Sequence, residues 1–272
     1  MRADPVDRSR WPALPEPHAT FLAAALARLR ADERIVGIAA AGSFARGRVD
    51  AHSDLDLVIA VEPEALGAVM NERESIAHSL WPLLASFVGE HVGEPRLLIC
   101  LYGPPLLHVD LKFVSLPDAA HRVDENVVLL DRGGRLASAL GARPPAYPAP
   151  QLQWIEDRFW TWVHYLAGKL ARGELFEVLD GLGFLRARVF GPLLLERRGA
   201  QPNGVRRLEA TAPDAVDRLR SIVALHEARD CARALGAAIE LYRELRASPE
   251  LVPNGAAEAA AVAFFEDVAR TL

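Results

Sequence analysis

The chain has 272 residues and a formal net charge of −5, with 51% hydrophobic and 25% charged residues. This composition is ordinary for a globular protein and argues against disorder. The acidic balance disfavours a broad phosphate-neutralising surface, so no nucleic-acid partner is expected and a cationic or neutral ligand fits better.

The N-terminal segment does not resemble a targeting signal. Met1 to Trp11 carry charges and prolines where a secretory signal would have an apolar core, so a cytoplasmic location is expected. Later apolar runs, such as Leu57 to Val61, are far shorter than the roughly 20 residues of a membrane-spanning helix. No membrane span is therefore expected.

The predicted elements begin with a helix and two strands. Apolar residues at helical spacing predict an amphipathic helix over Ala19 to Ala31, with His18 and Thr20 near its start as candidate cap residues. Short apolar runs then predict strands over Ile35 to Ala41 and Leu55 to Val61, joined by a loop from Ser43 to Ser53.

Further along, one long helix and three strands are predicted. Helical periodicity extends over Glu64 to Val88, with a kink at Pro82 because proline cannot donate the internal hydrogen bond. Arg96 to Leu101 and Leu106 to Val114 flank a glycine-proline turn, which predicts an antiparallel pair. Val127 to Leu130 is the last run of strand type.

A change of composition predicts two domains. Four prolines fall within Ala142 to Pro150, and from Gln151 onward the periodicity is helical almost throughout. We therefore predict an α+β protein, with a mixed β-sheet domain with helices over residues 1–141 followed by an α-helical bundle over residues 151–272.

The segment from Gly42 to Leu57 carries the clearest chemical signal, with the sequence GSFARGRVDAHSDLDL. Its first half places Gly-Ser directly after a strand, where backbone N–H groups and the Ser43 hydroxyl can converge on a phosphate. Gly42 permits close approach of the backbone, and Arg46 is a candidate phosphate contact. This half of the segment predicts an anion site.

The second half of the segment predicts a metal site. Asp54 and Asp56 stand two residues apart at the start of a strand, so both side chains leave the same face. Two crowded carboxylates are unfavourable unless a cation neutralises them, and oxygen ligands suit Mg²⁺ or Mn²⁺. By the alternation of residues 108–113, Asp110 offers a third ligand on a neighbouring strand.

These residues resemble the signature of the polymerase-β-like nucleotidyltransferase superfamily, a Gly-Ser followed after about ten residues by Asp-x-Asp and later by an aspartate on a strand. The match runs through Gly42, Ser43, Asp54, Asp56 and Asp110. A catalytic domain followed by a helical domain looks like the aminoglycoside and lincosamide nucleotidyltransferases. The resemblance implies that the helical domain supplies part of the substrate cleft.

The resemblance also implies a reaction. A nucleoside monophosphate, AMP from ATP or the equivalent from another nucleoside triphosphate, would pass to a hydroxyl of a small-molecule acceptor such as an aminoglycoside. Two Mg²⁺ ions, or Mn²⁺ in their place, would be held by Asp54, Asp56 and Asp110. Ser43 would hold a phosphate, and pyrophosphate would leave.

Two points of the site stay open at this stage. Lys169 resembles a lysine of kanamycin-type enzymes that meets the triphosphate, but the glutamate base expected four residues earlier is replaced by Tyr165. Asp110 is therefore the first candidate for the general base, with Glu174 and Glu177 as alternatives.

The function has alternatives of other classes. Toxin-like relatives suggest nucleotidylation of a protein or an RNA. A non-catalytic nucleotide-binding regulatory module is a further alternative, although such a module would be expected to lack one of the carboxylates, and all three aspartates are present. The residues alone leave the acceptor, the preferred nucleotide and the oligomeric state open.

Overall fold

The protein is described by a computed structural model over residues 11–272. Met1 to Arg10, on which the expectation about a targeting signal mainly rests, lie outside the described residues. The chain divides between Tyr147 and Pro148 into two compact units. The division falls within the proline-rich stretch, and each unit is described by itself.

The first unit contains six strands and four helices among its described residues. The helices are α1 (Glu16–Ala31), α2 (Gly42–Ala45), α3 (Leu66–Leu80) and α4 (Arg135–Gly141). The strands are β1 (Ile35–Ala40), β2 (Leu55–Val61), β3 (Leu83–Gly89), β4 (Glu94–Tyr102), β5 (Leu107–Ser115) and β6 (Val127–Asp131).

The strands form one mixed sheet in the order β3-β4-β5-β2-β1-β6. Strands β2 and β5 run parallel, and the other neighbouring pairs are antiparallel. Parallel neighbours need a crossover connection, which α3, β3 and β4 provide along the chain. As a result, β2 and β5 lie side by side in the middle of the sheet and begin at the same edge.

Both faces of this sheet are covered, but to different extents. Helices α1 and α3 pack on one face, where the strand residues that point toward them are buried. A smaller cluster on the other face joins α4 to the sheet through Leu136, Leu140, Ala39, Ala60 and Val114. The remainder of this second face, at the edge where β2 and β5 begin, carries partly exposed side chains.

The long helix predicted over Glu64 to Val88 is partly wrong. Helix α3 ends at Leu80, Trp81 is extended, and Leu83–Gly89 forms strand β3, which pairs with β4. The break follows from Pro82, which disfavours the helical conformation in the residue before it. The strand itself was missed because β3 is an edge strand with exposed apolar residues such as Leu84 and Phe87, so it lacks a regular apolar alternation.

The second unit is helical throughout, and residues 148–272 contain no strand. Its helices are α5 (Leu152–Ala171), α6 (Leu175–Leu185), α7 (Gly191–Glu196), α8 (Leu208–Thr211), α9 (Val216–Arg220), α10 (Ala228–Leu245) and α11 (Gly255–Arg270), with a π-helical turn over Arg186–Phe190. The predicted fold class, a mixed-sheet domain followed by a helical bundle, is confirmed. In the part of the chain from Trp11 onward, no helix is both long enough and apolar enough to cross a membrane.

A buried carboxylate ties the helical unit together. The Glu156 side chain is fully covered and accepts hydrogen bonds from Trp160 (3.1 Å), Tyr242 (2.7 Å), Arg246 (2.9 Å) and the Asn254 backbone N–H (2.9 Å). Burial acts to raise the pKa of Glu156, but these hydrogen bonds and the charge of Arg246 outweigh it and lower the pKa. The network joins α5 to α10 and to the start of α11.

Candidate functional site

The turn after β1 brings Gly42 against Asp56. Gly42 begins the short helix α2 with a φ of 58°, a left-handed conformation that favours glycine. A Cβ built on Gly42 would overlap Oδ2 of Asp56. The Ala41 N–H also donates to the Asp56 carbonyl at 2.9 Å. Glycine is therefore required here both for the backbone conformation and for the space that the Asp56 carboxylate occupies.

The Ser43 hydroxyl lies in the same turn. Its Oγ is buried and has no hydrogen-bond partner among residues 11–272. A buried hydroxyl without a partner costs about 1–3 kcal/mol, so such groups usually mark a place for water, an ion or a ligand. The turn that packs against Asp56 thus also carries a hydroxyl that can donate a hydrogen bond to an anion.

Asp56 and Asp110 are brought together by the sheet. They are register partners on the parallel strands β2 and β5, and neighbouring strands lie about 4.8 Å apart. Leu55 and Leu57 on one strand and Val109 on the other are buried in the opposite direction, toward α1 and α3. Both carboxylates therefore leave the same, partly open face of the sheet.

Asp54 is placed differently. It lies one residue before β2, whose first paired residue is Leu55. The backbone ladder therefore does not fix its direction. In the described part of the chain, no three His, Cys, Asp or Glu side chains are grouped closely enough to hold a metal ion as they stand.

The register-paired carboxylates nevertheless suit a hard divalent cation. Mg²⁺ usually keeps several waters and is bound by one or two carboxylates together with substrate phosphates, without a cage made wholly of protein. Asp56 and Asp110 offer two carboxylates on adjacent strands, and Ser43 offers an unpartnered hydroxyl nearby in the turn that packs on Asp56. The donors are all oxygen, as this class of ion prefers.

The neighbours of Asp110 are an imidazole on its own strand and two apolar residues on the strands beside it. Nε2 of His108 lies 3.0 Å from Oδ1 of Asp110. Across the sheet, Asp110 pairs with Ile99, which pairs with Phe87. Because β3 was predicted as helix, the sequence reasoning missed Phe87, which is 53% exposed.

Arg46, predicted to contact phosphate, is engaged within the protein. Its guanidinium forms an ion pair of 2.5 Å with Asp124 in the segment before β6. Asp124 lies 78 positions further along the chain, so no local sequence pattern links it to Arg46. A phosphate would have to compete with this carboxylate for Arg46.

In the helical unit, Lys169 belongs to a cluster of charges. Nζ of Lys169 lies 2.5 Å from Glu174 and 4.0 Å from Glu177, and the Tyr165 hydroxyl donates to Glu177 at 2.8 Å. The hydrogen bond from Lys169 lowers the pKa of Glu174, and the bond to Glu174 raises the pKa of Lys169. A carboxylate with a lowered pKa is a weaker base, which counts against Glu174 as general base.

The predicted capping role of His18 is wrong. Helix α1 begins at Glu16, with Pro15 at the cap position, so His18 lies inside the helix and does not cap it. Its side chain is buried, and Nε2 lies 2.7 Å from the Ser53 carbonyl. The helix starts three residues earlier than its apolar periodicity indicated, because Glu16 and Pro17 can occupy the first turn.

Gly42→Ala should reduce nucleotide binding and transfer far more than Gly47→Ala. Both glycines have positive φ, 58° and 66°, so alanine costs about 1 kcal/mol or more of stability at either position. The Gly42 variant also drives a Cβ into Asp56, whereas in residues 11–272 nothing lies within 4 Å of a Cβ at Gly47. Displacing a reacting group by about 1 Å can cost about 10²-fold in rate.

Thermal unfolding together with pyrophosphate release would separate the two effects. The variants should lose similar amounts of stability, and only Gly42→Ala should lose most of its activity. Equal rates of pyrophosphate release by the two variants would mean that the contact between Gly42 and Asp56 does not affect activity.

Two comparisons show what the chain is similar to. Residues 22–85 match a family model described as a nucleotidyltransferase domain, a segment that includes Gly42, Ser43, Asp54 and Asp56. This match confirms the superfamily resemblance predicted from the motif. Among solved structures it is similar to an aminoglycoside 6-adenyltransferase from Bacillus subtilis, with 14% identity, a TM-score of 0.35, and 92% of this chain and 95% of that chain covered. No curated protein matches the chain.

Proposed function

We propose that the protein transfers a nucleoside monophosphate, AMP from ATP, to a hydroxyl of a small-molecule acceptor such as an aminoglycoside. The observation that carries the proposal is the close packing of Gly42 on Asp56, which stands in register with Asp110. That arrangement joins an anion-binding turn to a pair of carboxylates, which is the combination that phosphoryl transfer from a metal-bound triphosphate requires.

In the proposed reaction, the acceptor hydroxyl oxygen bonds to the α-phosphorus of the nucleotide. The bond from that phosphorus to the bridging oxygen breaks, and pyrophosphate leaves. The Ser43 hydroxyl and the backbone N–H groups of the turn hold the phosphates, with Arg46 as a further contact. Asp110 takes the proton from the acceptor hydroxyl.

The carboxylates have a second task in this proposal. Asp54 and Asp56 would hold Mg²⁺ or Mn²⁺, and Asp110 would complete the second metal site where it does not act as the base. The bound ions would neutralise phosphate charge and make the acceptor hydroxyl more acidic. Asp56 and Asp110 are already side by side, and Asp54 would join them from its position just before β2. The protein's contribution is to orient these oxygens toward one side of the sheet.

Nucleotidylation of a protein or an RNA, as in toxin-like relatives, remains the second candidate. The net charge of −5 favours a small cationic or neutral acceptor over RNA. A regulatory module that only binds nucleotide is the third, and the Asp56 and Asp110 pair speaks against it because binding alone does not require two crowded carboxylates.

Pyrophosphate release on mixing the protein with ATP and Mg²⁺ tests the proposal. We expect release only when an acceptor is added, from a panel of aminoglycosides and lincosamides, and we expect EDTA to stop it. Parallel reactions with the other nucleoside triphosphates identify the preferred donor. Transfer of labelled nucleotide to added protein or RNA would favour the second candidate. Nucleotide binding without pyrophosphate release under any condition would favour the third.

Asp110→Asn should lower kcat by about 10²-fold or more while leaving nucleotide binding within a few-fold of normal. The amide cannot accept the hydroxyl proton, but Ser43 and Asp56 still hold the nucleotide. Steady-state kinetics together with the Kd of a non-hydrolysable ATP analogue would measure both. His108→Gln is the matched control, because it removes the neighbour of Asp110 and keeps the carboxylate. A loss of nucleotide affinity as large as the loss of kcat would contradict the role of base.

A further inference from the structure

A buried histidine connects helix α1 to the loop in front of Asp54. The His18 side chain is 2% exposed. Its Nε2 lies 2.7 Å from the carbonyl oxygen of Ser53, which is 35 positions further along the chain. A carbonyl oxygen can only accept, so Nε2 carries the hydrogen and donates it.

The other ring nitrogen of His18 makes no such bond in the described part of the chain. Nδ1 of His18 is buried and has no hydrogen-bond partner among residues 11–272. Among residues 11–272, the His18 side chain therefore makes one hydrogen bond, and that bond goes to Ser53.

The hydrogen bond from His18 holds the peptide unit that joins Ser53 to Asp54. The Ser53 carbonyl belongs to the same planar peptide unit as the Asp54 nitrogen, so a donor fixed on that oxygen also fixes the plane. On the other side, the Ser53 hydroxyl donates to Asp50 Oδ1 at 3.1 Å and accepts from the Asp50 N–H at 3.0 Å. Ser53 is thus held both by its own turn and by α1.

Asp54 needs such a support more than Asp56 does. Asp56 lies inside β2 and is aligned by its register with Asp110, whereas Asp54 precedes the first paired residue of the strand. Without the ladder, the direction of the Asp54 side chain depends on how the preceding peptide is held.

We propose that His18 is a positioning residue for Asp54, which directs that carboxylate toward the cation bound with the nucleotide. This inference rests on the proposed function. Partners that orient a metal ligand typically change metal affinity by about 10- to 100-fold when they are removed. The effect should therefore appear in cation binding before it appears in stability.

The test compares His18→Gln with His18→Leu in the full chain. The Gln side chain can place its amide N–H near the position of Nε2, while Leu fills similar space without a donor. Mn²⁺ binding in the presence of α,β-methylene-ATP, measured by electron paramagnetic resonance or calorimetry, is the readout. We expect His18→Leu to weaken Mn²⁺ binding by about tenfold or more and His18→Gln to stay within about threefold of the wild type.

His52→Gln is the matched control, since His52 is an exposed residue of the same loop. This variant should bind Mn²⁺ as tightly as the wild type does. Equal Mn²⁺ affinity of the wild type and both His18 variants would overturn the positioning role and leave the proposed function standing. Failure of the wild type itself to bind Mn²⁺ with the analogue would overturn both.

A second measurement does not depend on whether the variants fold. In ¹⁵N spectra of histidine side chains, Nε2 of His18 in the wild-type protein should carry a proton. A ring protonated only at Nδ1 could not donate to the Ser53 carbonyl, and that result would overturn the inference regardless of the binding data.

Discussion

Asp56→Asn is expected to lower nucleotidyl transfer by about 10³-fold or more while the protein stays folded. Asp56 is the carboxylate that Gly42 leaves room for and that stands in register with Asp110. The amide keeps the shape of the side chain but removes the charge that holds a cation, which supplies several kcal/mol of transition-state stabilisation. Because the change also relieves repulsion between neighbouring carboxylates, thermal stability should be unchanged or slightly higher.

Pyrophosphate release and thermal unfolding of the same sample measure both parts of this prediction. Asp217→Asn is a suitable control, since Asp217 is a largely exposed aspartate in the helical unit with a surface ion pair to Arg220. Asp54→Asn should fall in activity in the same direction as Asp56→Asn. Near-normal turnover of Asp56→Asn with Mg²⁺ would rule out Asp56 as a metal ligand.

Glu156→Gln is expected to destabilise the helical unit by about 3–5 kcal/mol, the usual cost of removing one partner of a buried ion pair. The Glu156 carboxylate is fully covered and accepts from four donors, including Arg246 at 2.9 Å. The amide can accept with only one of its two terminal atoms, so at least one donor loses its bond. Denaturation of the full chain, followed by tryptophan fluorescence, measures the loss because Trp154, Trp160 and Trp162 lie in this unit.

Glu244→Gln provides the control. Glu244 forms two hydrogen bonds of 2.7 Å with Arg218 on the surface of the same unit, where both side chains are about half exposed. Exposed pairs of this kind contribute less than about 1 kcal/mol. Equal destabilisation by the two substitutions would mean that burial of Glu156 does not matter.

The Glu156 prediction also has a pH dependence. The folded protein lowers the pKa of this carboxyl from its ordinary value of 4.5. Its stabilising effect is therefore fully present above pH 4.5 and is lost as the pH falls below that value toward the folded pKa. The difference in stability between the wild type and Glu156→Gln should accordingly shrink on acidification.

The sequence by itself determined the fold class and the elements that carry the motif. Strand β2 begins and ends where the apolar run Leu55 to Val61 predicted, because a buried strand must be apolar on at least one face. The alternation of residues 108–113 assigned Asp110 to the face opposite Val109 and Leu111, and β5 has that orientation. Local patterns of this kind are dictated by the period of the strand.

Only the tertiary structure decided the remaining features. Four features are set by partners distant in sequence. They are edge strand β3, the bond from His18 to Ser53, the overlap that excludes a side chain at Gly42, and the ion pair of Arg46 with Asp124. Sequence periodicity reports which face of an element is buried, but it does not report what that face meets. These contacts depend on how the strands pair and how the helices pack, and so they became visible only in the folded chain.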